Sequence, residues 1–149
     1  MHKKYMQEAI LEARKAFSKN EVPIGAVVVL NNKIIGRGHN RREELGDPTA
    51  HAEMLAIRDA AQRLGKWRLT GASLYVTLEP CPMCAGAIVN ARVQKLIYGA
   101  FDLKAGAVSS LMNLVQDRRL NHYVEVMDGI CHEECAQLLQ EFFQQLRRR

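Results

Sequence analysis

The chain has 149 residues, of which 48% are hydrophobic and 25% charged, and its formal net charge is +5. These values are typical of one globular domain over residues 1–149, and the positive charge is compatible with a polyanionic partner. No apolar run approaches the ~18 residues of a membrane-spanning helix, and the N-terminus turns polar too early for a secretory signal. We therefore expect a cytoplasmic protein that makes no membrane contact.

The first half of the chain predicts, in order, a helix, two strands, a polar loop and a second helix, over His2–Lys19, Ile24–Leu30, Lys33–Gly38, Arg41–Gly46 and His51–Leu64. The first helix carries an apolar stripe at helical spacing. Asn31-Asn32 favours an antiparallel hairpin because asparagine tolerates a positive φ. Gly65 is a typical residue to end the second helix.

The second half predicts a strand, a helix, a strand, a loop, a short helix, a strand and a last helix, over Leu74–Leu78, Cys81–Asn90, Leu96–Tyr98, Phe101–Ser110, Leu111–Val115, Tyr123–Met127 and Glu133–Arg147. A helix and a hairpin followed by alternating helices and strands favour an α/β domain of three layers, α/β/α, with a mixed five-stranded sheet. The pattern itself gives no strand order.

Two short motifs supply an imidazole, two thiols and a carboxyl group. Cys81 and Cys84 are three residues apart, so at the start of a helix both can bind one metal. His51 and Glu53 are two residues apart and would diverge by about 200° within a regular helix. They can converge if His51 lies at the helix start, where Pro48 places it. His51, Cys81 and Cys84 would then bind one zinc ion, with a fourth position left for water.

Alternatives exist for these residues. Cys81 and Cys84 could join Cys131 and Cys135 in a structural zinc site with four cysteine ligands. Cys135 falls on the apolar stripe of the last helix, however, where a buried free thiol is common. Glu53 could be an ordinary solvent-facing helix carboxylate.

The signature His-x-Glu followed by Pro-Cys-x-x-Cys is that of the zinc nucleobase deaminases. Flanking stretches make the chain resemble the bacterial tRNA-specific adenosine deaminases over nearly its whole length: Glu21–Ala26, Gly38–Arg41, Asp47–Glu53, Thr77–Ala87 and Gly99–Ala107. The chain departs from the family at Pro82, where valine is frequent. A Pro-Cys-Pro-Met-Cys sequence also occurs in relatives that act on cytosine, guanine or nucleotides, so the zinc motif does not define the substrate.

The resemblance implies a cytidine-deaminase-like fold and one Zn²⁺ per subunit. It also implies hydrolytic deamination of the wobble adenosine in a tRNA anticodon loop to inosine. In that mechanism a zinc-bound water attacks C6 of adenine while Glu53 shuttles protons. The partners would be a tRNA anticodon stem-loop and a second copy of the chain in a homodimer. The alternatives are a zinc deaminase of a free base or nucleoside, and a non-catalytic zinc module that binds RNA.

Family position also suggests residues that contact the substrate. Asn40 would hydrogen-bond the flipped nucleotide, although an asparagine that merely ends a strand is a common alternative. Ala52 and Pro23 would line the base pocket, Pro23 together with Ile24 and Gly25. Asp102 and Lys104 belong to a loop resembling the family's anticodon-contacting loop, where Asp102 could accept a hydrogen bond from a ribose 2′-OH. Phosphate binding and improved solubility are equally plausible roles for the final run Arg147-Arg148-Arg149.

Overall fold

The computed structural model describes residues 1–148, so Arg149 of the C-terminal arginine run lies outside the described residues. The elements in chain order are α1 (His2–Ser18), β1 (Gly25–Leu30), β2 (Lys33–His39), α2 (Arg42–Leu45), α3 (Ala52–Leu64), β3 (Ser73–Leu78), α4 (Pro82–Asn90), β4 (Lys95–Ala100), β5 (Glu125–Met127) and α5 (His132–Arg147). Among these described residues, no helix is both long and apolar enough to cross a membrane.

The five strands form one mixed sheet in the order β2-β1-β3-β4-β5. β1 pairs antiparallel with β2 and β3, whereas β4 pairs parallel with β3 and β5. The predicted mixed five-stranded sheet is confirmed. Since β3 and β4 are parallel, their carboxyl ends meet at one edge, and the residues that follow them lie close together.

Helices cover both faces of the sheet. On one face α1 and α5 pack against alternate strand residues in a cluster that includes Met6, Val27, Tyr75, Ile97 and Cys135. On the other face α3 and α4 pack against the intervening residues in a cluster that includes Val28, Ala56, Leu74, Ile88 and Leu96. The opposite burial of neighbouring strand residues follows from the two-residue period of a strand. This arrangement confirms the three-layer α/β/α prediction.

Helix α3 lies unusually close to β2 because β2 contains glycine where the two elements meet. A Cβ atom on Gly38 would lie 2.5 Å from the carbonyl oxygen of Ala52 and 2.7 Å from the nitrogen of Ala56. Both distances are too short for a side chain of any size. Gly38 therefore allows the first turn of α3 to rest on the strand.

The chain turns are largely as predicted. Asn31 and Asn32 both have positive φ, and Leu30 pairs with Lys33 across this two-residue turn. Gly65 ends α3 in the left-handed conformation.

Two predictions were wrong. The segment 41–46 contains the one-turn helix α2 rather than only loop, because the Glu21 carboxylate accepts hydrogen bonds from the N–H groups of Glu43 and Glu44.

The second wrong prediction is the helix over residues 111–115, which the structure shows as turns and irregular chain. The backbone there bonds to distant segments instead of to itself. The N–H of Leu114 donates to the oxygen of Ala107, and the oxygen of Val115 accepts from Val124. The last strand is also shorter than the prediction, since it begins at Glu125.

Candidate active site

Two helix starts bring the three predicted metal ligands together. His51 is the N-cap of α3 and has an extended backbone, so its side chain turns away from the helix axis. Cys81 is the N-cap of α4, and Cys84 lies in its first turn. The Nδ1 atom of His51 lies 3.6 Å from Sγ of Cys81 and 3.5 Å from Sγ of Cys84. The spacing of His51 and Glu53 required this position at a helix start.

The geometry of this group fits a tetrahedral ion. All three ligand atoms lie within 4.8 Å of one another. Zinc bonds of about 2.05 Å to nitrogen and about 2.3 Å to sulfur, at tetrahedral angles, would place N and S about 3.6 Å apart. The two distances from His51 match this value. One imidazole and two thiols are also ligands that Zn²⁺ prefers.

The alternative site with four cysteine ligands does not form in this structure. Cys135 is fully buried against β4 on the face covered by α1 and α5, and Cys131 packs beside that cluster. Cys81 and Cys84 lie at the start of α4, which covers the opposite face. Within residues 1–148, His51, Cys81 and Cys84 are the one group of this kind that could hold a metal ion.

Hydrogen bonds among these three side chains shift the pKa of each of them. A hydrogen bond from the thiol of Cys84, with a further hydrogen bond to His51, outweighs burial and lowers the pKa of Cys81 to about 4. The same bond, together with burial, raises the pKa of Cys84 strongly. The hydrogen bond with Cys81 raises the pKa of His51. The site therefore favours one thiolate at neutral pH, and such a thiolate is ready to bind a cation.

Glu53 lies beside this group, on the first turn of α3, and is only 4% exposed. Burial, with a smaller contribution from the neighbouring Cys81 thiolate, raises its pKa to about 7. The reading of Glu53 as a solvent-facing carboxylate does not fit this burial. A carboxyl group with such a pKa can both accept and donate a proton near neutral pH.

A cavity of about 540 Å³ opens above these residues. His51, Glu53 and Cys81 are among its lining residues. The others are Val22, Ile24, Asn40 and Arg42; Ala52; Leu78 and Glu79; Phe101, Asp102, Leu103, Lys104 and Ala105; and Leu139 and Phe143 of α5. A mostly apolar cavity with a few polar groups is typical of a small-molecule or nucleoside pocket.

The buried carboxylate of Glu79 organises the wall formed by residues 101–105. Its Oε2 atom accepts from the N–H groups of Val108, Ser109 and Ser110 at 3.1, 2.7 and 2.9 Å. Its Oε1 atom accepts from the N–H of Asp102 at 3.1 Å and from Oγ of Ser110 at 2.5 Å. Burial acts to raise the pKa of Glu79, but these hydrogen bonds outweigh burial and lower the pKa overall. The side chain is therefore a carboxylate at neutral pH.

Comparison with known proteins identifies the family. A family model of MafB19-like deaminases matches residues 1–147. The tRNA-specific adenosine deaminase of Bacillus subtilis is 58% identical over 145 residues, which cover 97% of this chain and 90% of the relative. The chain belongs to the tRNA-specific adenosine deaminases.

Solved structures agree with this membership. A structure from biochemical and structural studies of A-to-I editing by tRNA:A34 deaminases is 50% identical, with a TM-score of 0.87, and the match covers 91% of this chain and 98% of that one. Guanine deaminase from Nitrosomonas europaea superposes with a TM-score of 0.81 at 22% identity, over 94% of this chain and 83% of that one. The second likeness, at 22% identity, shows only a shared fold.

Asn40 and Ala52 both lie at the cavity where the family position had suggested them. Asn40 is 2% exposed, and its Oδ1 atom accepts from the N–H of Arg42 at 3.2 Å. Its backbone N–H also donates to Ile24. Asn40 thus directly follows β2 and holds the N–H of the first residue of α2 while lining the pocket, so a structural role and a place at the substrate are compatible.

Of the remaining residues predicted to contact the substrate, two line the cavity and one does not. Asp102 and Lys104 line the cavity, and Oδ1 of Asp102 accepts from the N–H groups of Lys104 and Ala105 at 3.1 Å each. Pro23 is buried and is not among the lining residues, and the neighbouring Val22 and Ile24 form that part of the wall. A direct contact of Pro23 with a base does not fit this placement.

The sequence interpretation missed two buried carboxylates, Glu79 and Glu21. Both are 2% exposed, and both accept backbone N–H groups that hold a cavity wall in place. The one available signal for Glu79 was a charged residue between a buried strand and a proline. Its partners lie 23 to 31 residues away in sequence, and no local pattern indicates them.

Proposed function

We propose that this chain hydrolyses the adenosine at the wobble position of a tRNA anticodon to inosine, with one zinc ion held by His51, Cys81 and Cys84. One observation carries the proposal. The metal-capable group and the buried Glu53 share one cavity in a chain that is 58% identical to a tRNA-specific adenosine deaminase over 97% of its length.

A zinc ion bound by these ligands would act as a Lewis acid that makes an attacking water more acidic. The two cysteines and the histidine would hold the ion, and the target base must leave the anticodon loop to reach these residues.

Glu53 is the group that moves protons. It takes a proton from the attacking water and delivers it to N1 of adenine as the oxygen bonds to C6. Glu53 then moves the remaining proton of that oxygen to the exocyclic nitrogen, so the C6–N6 bond breaks as the C6=O bond of inosine forms. Adenosine and water thus give inosine and ammonia. The position of Glu53 on the first turn of α3, at the same cavity as His51, supports this role.

The proposed partners are a tRNA anticodon stem-loop and a second copy of this chain in the cytoplasm. The net charge of +5 favours a polyanionic substrate. Large apolar side chains are exposed near the cavity mouth and elsewhere, among them Trp67, Leu103, Leu111 and Phe143. Such side chains favour a homodimer, which light scattering of the purified protein would detect as twice the 16.8 kDa mass of one chain.

The first experiment measures inosine in an anticodon stem-loop that carries adenosine at the wobble position. The zinc-loaded protein should convert it, whereas Glu53→Ala should lower kcat by ~100-fold to ~10,000-fold, the usual contribution of a positioned acid–base group. Zinc content should remain near one per chain in this variant, because Glu53 is not among the three ligands.

Free adenosine, cytidine and guanine are the competing substrates. Turnover of a free base or nucleoside without turnover of the stem-loop would contradict the tRNA assignment and leave the metal site intact. If Glu53→Ala kept full activity, the assignment of the proton-transfer group would be wrong. RNA binding with no turnover of any substrate would identify a non-catalytic zinc module.

A further inference from the structure

One buried carboxylate, Glu79, joins the metal site to the substrate loop, which we define as residues 101–110. Five hydrogen bonds reach this side chain, four from backbone N–H groups of the loop and one from Oγ of Ser110. A carboxylate that accepts several N–H groups within a folded loop fixes the path of that loop. Over residues 1–148, none of these hydrogen bonds comes from a lysine, arginine or histidine, so the loop backbone itself stabilises this buried charge.

The backbone beside Glu79 strengthens the same connection. The N–H of Glu79 donates to the oxygen of Ala100 at 2.9 Å, and the oxygen of Pro80 accepts from the N–H of Ala107 at 2.9 Å. The next residue is the metal ligand Cys81. The substrate loop is thus attached to the segment that presents a metal ligand, both before and after its own cavity-lining residues.

A second set of hydrogen bonds within the loop depends on the bond between Glu79 and Asp102. Glu79 holds the N–H of Asp102, and the side chain of Asp102 then holds the N–H groups of Lys104 and Ala105. The backbone carbonyl oxygen of Asp102 also accepts a hydrogen bond from the N–H of Gly106 at 2.8 Å. Each cavity-lining residue from 101 to 105 therefore lies within or beside a turn anchored at Glu79.

Gly106 makes room for this anchor. A Cβ atom at this position would lie 2.4 Å from both Cδ and Oε2 of Glu79. Its φ is not in the left-handed region, so close approach is the reason for glycine here. Gly106 does not itself line the cavity, so replacing it would disturb the anchor through its contact with Glu79.

We infer that Glu79 is a positioning residue for substrate binding: it fixes the substrate loop against the metal-ligand segment and so sets affinity for the RNA substrate. The identity of the RNA substrate rests on the proposed function, whereas the anchoring of the loop by Glu79 rests on the structure alone. Glu79 is also one of the residues that line the cavity, but all five hydrogen bonds of its carboxylate are made to the loop, so we assign it no contact with the reacting base.

The test compares Glu79→Gln, Gly106→Ala and Ser110→Ala with the parent chain. In Glu79→Gln, either orientation of the amide places an NH2 group against backbone donors, because both oxygens accept in the parent. We expect amide hydrogen exchange at residues 102 and 108–110 to accelerate at least ~10-fold, since each lost bond exposes an N–H group. KM for the stem-loop should rise ~10-fold or more, with kcat within about threefold and one zinc per chain.

The two serines give a matched pair. Ser110→Ala removes one of the five bonds to Glu79, whereas Ser109→Ala keeps all five, because Ser109 donates through its backbone and its Oγ faces Tyr98 instead. Exchange over 108–110 should accelerate in Ser110→Ala and stay near the parent rate in Ser109→Ala. If Glu79→Gln fails to fold, this pair and Gly106→Ala decide the result.

Three results would overturn the inference. The first is unchanged amide exchange in the variants, and the second is faster exchange with an unchanged KM. The third is a collapse of kcat with an unchanged KM, because Glu79 would then act on the reacting groups. Should the parent chain make no inosine, the proposed function fails, while the exchange measurements still decide whether Glu79 anchors the loop.

Discussion

Glu12 offers a sharp test of the electrostatics on the α1 face of the sheet. Its side chain is 3% exposed and contacts three basic side chains. Nζ of Lys15 lies 2.8 Å and Nη1 of Arg37 3.2 Å from Oε2, and Nδ1 of His39 lies 3.3 Å from Oε1. Burial acts to raise the pKa of Glu12, but His39, Lys15 and Arg37 together lower it from 4.5 to about 2.

The pKa difference gives the size of the effect. From 4.5 to about 2, at about 1.4 kcal/mol for each unit of pKa, ionised Glu12 contributes about 3 kcal/mol to the free energy of unfolding. The sign follows from the lowered folded-state pKa. The contribution is fully present above pH 4.5 and is lost as the pH falls towards 2. Glu12→Gln should therefore cost about 3 kcal/mol at pH 7, and the cost should shrink below about pH 4.5.

The assay is urea unfolding of both proteins at several pH values from about 7.5 to about 3.5, a range that covers the plateau and the beginning of the loss of the contribution. The difference between the two proteins cancels acid effects that both share, such as protonation of the metal ligands. Glu125→Gln is the control, because this strand carboxylate is exposed and 3.8 Å from its partner Lys95, and we expect a change within about 0.5 kcal/mol. A cost for Glu12→Gln below about 1 kcal/mol, or one independent of pH, would refute the reasoning.

Three further predictions concern the site. His51→Ala should weaken zinc binding by more than the ~100-fold that losing an outer-shell partner costs, as measured by competition with a chelator. Asp102→Asn should narrow the preference for an RNA stem-loop over the matched DNA several-fold, and an unchanged activity ratio would contradict the proposed 2′-OH contact. Gly38→Ala should cost about 1–3 kcal/mol in urea unfolding, because its Cβ would lie 2.5 Å from the oxygen of Ala52 under the turn that carries Glu53.

Local patterns predicted the parts of the fold that local physics controls. Asn31 and Asn32 predicted a hairpin turn because few residues other than glycine tolerate positive φ, and both have it. Pro48 and the spacing of His51 and Glu53 predicted a helix start at the metal group, and His51 is the N-cap of α3. These features depend on neighbours only a few residues away.

Long-range hydrogen bonds account for the errors. A one-turn helix is unstable alone, and α2 forms because Glu21, some twenty residues earlier, caps it. Residues 111–115 have a helical composition, but the backbone of Leu114 bonds to Ala107 instead. The strand order came from family resemblance and not from any pattern in the strands themselves. Glu79 was missed because its burial depends on a loop that follows it by more than twenty residues.

The anchoring of the substrate loop has a consequence for how such a loop can evolve. Glu79 holds it mainly through N–H groups, which every residue except proline possesses. Side chains at positions 103–105 can therefore change without loss of the anchor, and each new side chain would enter the cavity from the same backbone path. A mutational scan of these positions should alter substrate preference while leaving most variants folded. In this loop the anchored backbone can stay constant while the side chains at positions 103–105, which form the surface of the pocket, vary.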